Sequence, residues 1–258
     1  MPLAVPSELE LKNIRALLAA GSSQDSFAGL RVLEIGTGDG RLARPFAADA
    51  ELWVGIDPIR GELAKVQANG APSSLGLTVG DAAALSFDAE TFDVVFFSWS
   101  LCCIPPAAMG GAVAEALRVL RTEGLLLDLH ATEDPVAVEV WQALRSGNGH
   151  PDREDAVRRT PVGFLDPEPG APHGFADATD ALAAALENGF TLHRSVAFDY
   201  HYFFDSPAEL AAHLQDTHEC ATASEALLKK AGAAMTPPTR KVKLVTSQRI
   251  VATALGKV

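Results

Sequence analysis

The sequence predicts an α/β protein built on a doubly wound sheet, and three observations carry that prediction. Strand-like and helix-like segments alternate five times between Glu8 and about Leu144, the rhythm of a parallel sheet with helices on both faces. A glycine turn, Gly36-Thr37-Gly38-Asp39-Gly40, joins the first strand to renewed helical spacing. Polar residues then stand at the carboxyl ends of successive strands, where such sheets bind their ligands.

At 258 residues the chain can bury one sizeable core, and a single domain over 1–258 is expected. Apolar residues make up 48 %, too many for a disordered chain. The net charge of −12 argues against a nucleic-acid partner, because neutralising phosphates needs a basic face. Of three cysteines, Cys102 and Cys103 are adjacent. They build neither a disulfide framework nor a C-x-x-C metal spacing, which suggests a reducing cytosol. Met1 to Glu8 lacks the basic start and apolar core of a signal peptide. The apolar stretch Val94 to Ile104 is too short to span a bilayer and is interrupted by Ser98 and Ser100. A soluble cytoplasmic protein without membrane association is expected.

Leu9, Leu11, Ile14, Leu17 and Leu18 repeat at helical spacing over Glu8 to Ala20, and Gly21 stops that helix. Val32 to Ile35 reads as a buried strand. Three glycines then make a turn that side-chain-bearing backbone follows poorly, and helical spacing resumes at Leu42, Ala43, Phe46 and Ala47. Leu52 to Ile56 is the second strand, ending at Asp57-Pro58, and Gly61 to Ala68 a short helix. Leu75 to Val79 and Phe92 to Phe97 are the third and fourth strands. Pro105-Pro106 opens a helix through Leu120, and Gly124 to Leu129 is the fifth strand.

Asp134-Pro135 predicts a further helix to about Leu144. Five prolines then interrupt residues 146–174, an irregular stretch expected to be a lid or loop, with a short helix over Asp152 to Arg159. A helix from Thr179 to Leu186 and a strand from Phe190 to about Phe204 follow. Ser206-Pro207-Ala208-Glu209 carries a capping box with proline at the first helical position. It opens one or two helices, a helical insertion over 205–238. Lys241 to Leu255 is the last strand.

A strand that breaks into a glycine turn and opens a helix leaves backbone N–H groups pointing at a bound anion. A dinucleotide fingerprint would need a third glycine where Arg41 stands, and the lysine of a phosphate-binding P-loop is absent. About 20 residues past the turn, Asp57 ends the second strand, where a carboxylate holds a ribose diol. Asp81 ends the third strand before Ala82, and the pair is suited to an adenine edge. Ser98 and Trp99 end the fourth, beside the reactive part of a ligand.

The pattern Glu34-x-Gly36-x-Gly38-x-Gly40 resembles the first motif of class I S-adenosylmethionine (SAM) dependent methyltransferases of the small-molecule type. The resemblance runs from about Leu30 to His130 by motif, including Phe92-Asp93-Val94-Val95 and Ala114 to Gly124, and more loosely to Val258. It implies a Rossmann-like sheet of about seven strands, mostly parallel with an antiparallel last strand, and SAM as cofactor. By position it gives the methionine part to Gly36, Thr37, Gly38 and Gly40, and counts Glu34 of the same motif among the cofactor-binding residues. The ribose falls to Asp57 and adenine to Pro58, Ile59, Asp81 and Ala82, while Ser98 and Trp99, at the end of the fourth strand, are also counted as cofactor-binding.

Enzymes of this class that methylate nucleic-acid or glutamine amines carry Asn/Asp-Pro-Pro-aromatic after the fourth strand, where this chain reads Ser98-Trp99-Ser100-Leu101. No Pro-Cys nucleophile stands there either. A small-molecule acceptor, methylated at O, N or C, is the expectation. Methyl transfer needs alignment and water exclusion, and a base only where the acceptor loses a proton. His130, at the end of the fifth strand, and His173, in the proline-rich stretch, are the candidates, with His150, Tyr200 and Tyr202 behind them. No His, Cys and acid grouping has metal-ligand spacing. The alternatives are a non-catalytic protein that binds SAM or its demethylated product, and an NAD-dependent oxidoreductase, which Arg41 counts against.

Overall fold

The structure is a computed structural model that describes residues 7–22, 24–68, 72, 74–143, 157–167, 174–216, 221–236 and 242–258. In chain order the elements begin with α1 (Glu8–Gly21), β1 (Arg31–Ile35), α2 (Ala43–Phe46), β2 (Leu52–Asp57) and α3 (Arg60–Ala68). Next come β3 (Leu75–Val79), β4 (Phe92–Ser98), a 3₁₀ turn at Leu101–Cys103, α4 (Pro106–Val119) and β5 (Leu120–Ala131). Then follow β6 (Ala137–Ala143), β7 (Val157–Phe164), β8 (Asp166–Pro167), α5 (Phe175–Ala185) and β9 (Phe190–Phe204). The chain closes with α6 (Pro207–Asp216), β10 (Ala221–Thr222), α7 (Glu225–Ala234) and β11 (Val242–Lys257). Two compact units emerge, one drawn from residues 1–132, 173–198 and 250–258, the other from 133–172 and 199–249.

In the first unit the strands run β3-β2-β1-β4-β5-β11, and β9 pairs with β11. The first five strands pair in parallel, and β11 lies antiparallel to β5, with Val251 opposite His130. The expected mostly parallel sheet with an antiparallel last strand is therefore present. Its central strands are apolar almost without a break because helices cover both faces. Leu33, Val95, Phe97 and Leu126 face α4 and α5, packing with Met109, Val113, Ala178 and Leu182. On the other face α1 comes so close that a Cβ at Gly21 would lie 2.3 Å from the Leu125 side chain. Phe27, Phe46 and Trp53 add a buried aromatic cluster, with Phe27 set 5.0 and 5.2 Å from its two neighbours.

In the second unit β6 lies between β7 and the first half of β11, and its core joins Val138, Val140 and Leu244 to Leu210 and Leu227 of α6 and α7. The Glu209 amide donates to the Ser206 hydroxyl at 3.2 Å, so the predicted cap forms. The helix expected from Asp134-Pro135 to Leu144 is instead strand β6. Val136 just before it and Val138 and Val140 within it alternate, and β-branched side chains that lose χ1 freedom in a helix pack well on a pleated strand. Of the helix expected over Asp152 to Arg159, residues 157–159 are strand and the rest lie outside the described residues. No helix among the described residues is long and apolar enough to cross a membrane.

Leu126 is fully buried at the centre of β5, whereas Leu192 is 49 % exposed. Leu126→Ala is expected to cost about 2–5 kcal/mol of stability and Leu192→Ala less than about 0.5 kcal/mol. Urea unfolding of the two variants checks this; equal losses would contradict the placement of the core.

Candidate cofactor and catalytic site

The glycine turn is held from below by one carbonyl. The amides of Gly36 and Thr37 both donate to the Ile56 carbonyl, at 2.8 and 2.9 Å, and the Gly40 amide donates to the Thr37 carbonyl at 2.9 Å. Gly36, Gly38 and Gly40 all have positive φ, at 75°, 53° and 76°, a region that costs other residues roughly 1–2 kcal/mol. Their surroundings differ. A Cβ at Gly36 would strike Ser100 at 2.3 Å and one at Gly40 would strike Val66 at 2.8 Å, but among the described residues a Cβ at Gly38 meets nothing within 4 Å. The turn is packed at both ends and open in the middle.

Asp57 stands beside that opening. It is 7 % exposed, and its Oδ2 accepts the Gly38 amide at 3.0 Å while Oδ1 accepts the Ile59 amide at 2.8 Å. Each oxygen keeps a further lone pair, as a ribose diol requires. Pro58 is exposed. Ile59 and Val79, at the ends of β2 and β3, are 58 % and 47 % exposed, apolar surface suited to the face of an adenine. Asp81 is exposed, its Oδ1 accepting the Ala83 amide at 2.9 Å, with Ala82 half-buried beside it.

Glu34 lies under the turn rather than in its opening. Its Oε2 accepts from the Thr37 hydroxyl at 2.9 Å and the Trp53 indole at 3.0 Å. Burial pushes its carboxyl up to about 7, against the pull of those two hydrogen bonds. Gly55 makes room for this arrangement, since a Cβ there would lie 2.8 Å from the Thr37 side chain.

At the end of β4, Ser98 is buried and Trp99 takes the left-handed backbone, φ 58°. The Trp99 amide donates to the Leu129 carbonyl at 2.7 Å, and its indole donates to Glu10 at 3.1 Å. Glu10 is fully buried and receives both terminal nitrogens of Arg41, at 2.6 and 2.7 Å. Arg41 thus ties α1 to the glycine turn. Sequence reasoning missed Glu10, whose partner is 31 residues away, and Gly55, which no motif marks.

His130 is buried on the face covered by α4 and α5. Its Nδ1 lies 2.5 Å from Asp128 Oδ2 and its Nε2 3.0 Å from the Thr179 hydroxyl. Both ring nitrogens are therefore engaged. Burial raises the Asp128 carboxyl, and the His130 hydrogen bond opposes that shift. Thr179 was not a sequence candidate, because only the packing of α5 on β5 brings it there. His173 and His150 lie outside the described residues. Tyr200 and Tyr202 belong to the second unit, their rings 4.9 Å apart.

Residues 32–124 match a family model described as a methyltransferase domain. An uncharacterized protein of Haemophilus influenzae is 36 % identical over 115 residues, a match that covers 42 % of this chain and 43 % of that protein. A candidate methyltransferase of Bacillus halodurans C-125 (BH2331) has the same fold, with a TM-score of 0.57 at 18 % identity over 95 % of this chain and 99 % of that one. A candidate SAM-dependent methyltransferase from Listeria monocytogenes gives 0.52 at 14 % identity, over 98 % and 100 % of the two chains. The 4+2 cyclase SpnF gives 0.51 at 18 % identity, over 99 % and 84 %. The methyltransferase-domain match is thus confined to residues 32–124, which hold the glycine corner, and the solved structures share the fold of the chain.

Glu34 retains in the folded state a proton that the unfolded chain releases near its ordinary value of 4.5. Its contribution to stability is present below pH 4.5 and is lost as pH rises toward 7. Relative to Glu34→Gln, the wild type is expected to lose about 2–4 kcal/mol between pH 4.5 and 8. Urea unfolding of both proteins at the two pH values measures this, and a constant difference would contradict the assignment.

Proposed function

We propose that this protein transfers the methyl group of SAM to a small-molecule acceptor by in-line displacement. The observation that carries the reading is the open space at Gly38 flanked by the Asp57 carboxylate. A Cβ at Gly38 would stand in that space, which adjoins a buried acid at the carboxyl ends of neighbouring parallel strands, as ligand sites of such sheets do.

When bound, SAM supplies a methyl group already activated on a sulfonium. The chain's own part is to bind and align. Gly36 to Gly40 would take the methionine portion, Asp57 the ribose hydroxyls, and Pro58, Ile59, Asp81 and Ala82 the adenine. Ser98 and Trp99 border the reacting end, where the left-handed backbone of Trp99 holds its amide on β5. Glu34 supports the turn through Thr37. The net charge of −12 and the sequence after β4 favour a small acceptor over nucleic acid.

SpnF, a cyclase on this fold, motivates a second reading in which the chain binds SAM or its demethylated product without transferring a methyl group. Release of S-adenosylhomocysteine in the presence of a metabolite panel separates the two, since only transfer generates it.

Calorimetry with SAM and with NAD tests the site. SAM is expected to bind and NAD is not; the reverse would overturn the reading. Asp57→Ala is expected to weaken SAM by about 1–3 kcal/mol. Gly38→Ala is expected to weaken it at least as much, while costing the free protein only about 1–2 kcal/mol of stability. Unchanged affinity in both variants would remove this corner from the binding site.

A further inference from the structure

Three polar side chains form a line that cofactor binding does not require. β5 places Asp128 and His130 two residues apart on one face of the sheet, and α5 lays Thr179 across them. Asp128 and His130 are each 1 % exposed, whereas Thr179 is exposed. Among the described residues, the Asp128 Oδ1 atom is buried with no hydrogen-bond partner. A sealed carboxylate, a ring gripped at both nitrogens and a surface hydroxyl thus stand in sequence. Stability alone disfavours such an arrangement, because a buried acid with an unsatisfied oxygen costs more than an apolar replacement.

Its place in the fold ties it to the proposed chemistry. The Leu129 carbonyl, between Asp128 and His130, accepts the Trp99 amide at the end of β4. The line therefore begins one strand away from the residues expected to border the reacting end. The bland alternative is a histidine held only by its surroundings, with Thr179 donating to the Phe175 carbonyl, 3.2 Å away. The His130 nitrogen, at 3.0 Å, is the nearer partner.

We infer that Thr179 touches the methyl acceptor and passes its proton to His130, which Asp128 holds with Nε2 turned toward the hydroxyl. The inference rests on the methyl-transfer reading and narrows it to acceptors that carry a hydroxyl. As the acceptor oxygen bonds to the methyl carbon, the carbon–sulfur bond breaks and its electron pair stays on sulfur. The acceptor's proton moves to Thr179 Oγ while the Thr179 proton moves to His130 Nε2. The ring becomes an imidazolium beside the Asp128 carboxylate and later returns its proton to water through the same hydroxyl. Fixing a tautomer through a carboxylate on Nδ1 is the established role of such a pair. Thr179 is the catalytic residue in this scheme; His130 and Asp128 act through it.

Nitrogen-15 NMR of the full chain labelled at histidine tests the polarity of the line without knowledge of the acceptor. The His130 signals are identified by their loss in His130→Gln. The expected wild-type state carries the proton on Nδ1, with Nε2 unprotonated and accepting a hydrogen bond. Thr179→Val is expected to shift the Nε2 signal and leave Nδ1 protonated, Thr179→Ser to restore it, and Asp128→Asn to move the proton to Nε2. A wild-type ring protonated at Nε2 would overturn the inference, as would an Nε2 signal indifferent to Thr179→Val. For a hydroxyl compound that the enzyme methylates, Thr179→Val is expected to lower kcat about 100-fold or more with the KM for SAM unchanged, and Thr179→Ser to stay within about 3-fold. Unchanged kcat in Thr179→Val would equally sink it. Calorimetry with SAM separates the two levels: failure to bind SAM overturns the methyl-transfer reading, whatever the NMR shows of the tautomer.

Discussion

The corner of the molecule hangs on the Ile56 carbonyl, which accepts the amides of both Gly36 and Thr37. That pair of hydrogen bonds pins the end of β1 to the end of β2, and the chain continues through Gly36, Gly38 and Gly40, all at positive φ. From there the Gly38 amide reaches Asp57, so the acid and the open cradle are fixed by one another. Close packing then makes the corner rigid. Gly36 abuts Ser100, Gly40 abuts Val66, and Gly55 abuts Thr37, contacts that leave no room for a side chain except where the opening lies. Rigidity at the corner proposed for the cofactor is what alignment of donor and acceptor needs.

Two buried acids show what this arrangement costs. Glu34 sits beneath the turn with its carboxyl pushed up to about 7, held by Thr37 and Trp53. Glu10 is buried from α1 and meets Arg41 with both oxygens. Buried ion pairs seldom add net stability, because desolvation offsets attraction; this one links the first helix, the glycine turn and Trp99 in one network. Arg41, which counts against a dinucleotide fingerprint, has a structural partner that explains its presence.

The parallel half of the fold was legible because its signals are local. Apolar runs such as Val94 to Phe97 mark strands covered on both faces, and Gly36, Asp57 and Asp81 fall at strand ends that spacing alone locates. β6 was misread for the same reason: Asp134-Pro135 is a strong local helix start, and the alternation of Val136, Val138 and Val140 prevailed only because β7 and β11 supply partners on both sides. Glu10 and Thr179 could not be found from sequence. Their partners are 31 and 49 residues away, and no motif records a contact made by a helix packing on a sheet. The acceptor is hidden likewise, since its recognition depends on tertiary placement rather than on a fixed spacing.

The central claim is that the Gly38 opening and Asp57 together hold the adenosyl and methionine parts of the cofactor. A crystal structure of the full chain with S-adenosylhomocysteine tests this most directly. The ribose hydroxyls are expected on the Asp57 carboxylate and the amino-acid end in the open space over Gly38. Density for the ligand elsewhere, with the cradle empty and Asp57 bonded only to Gly38 and Ile59, would contradict it.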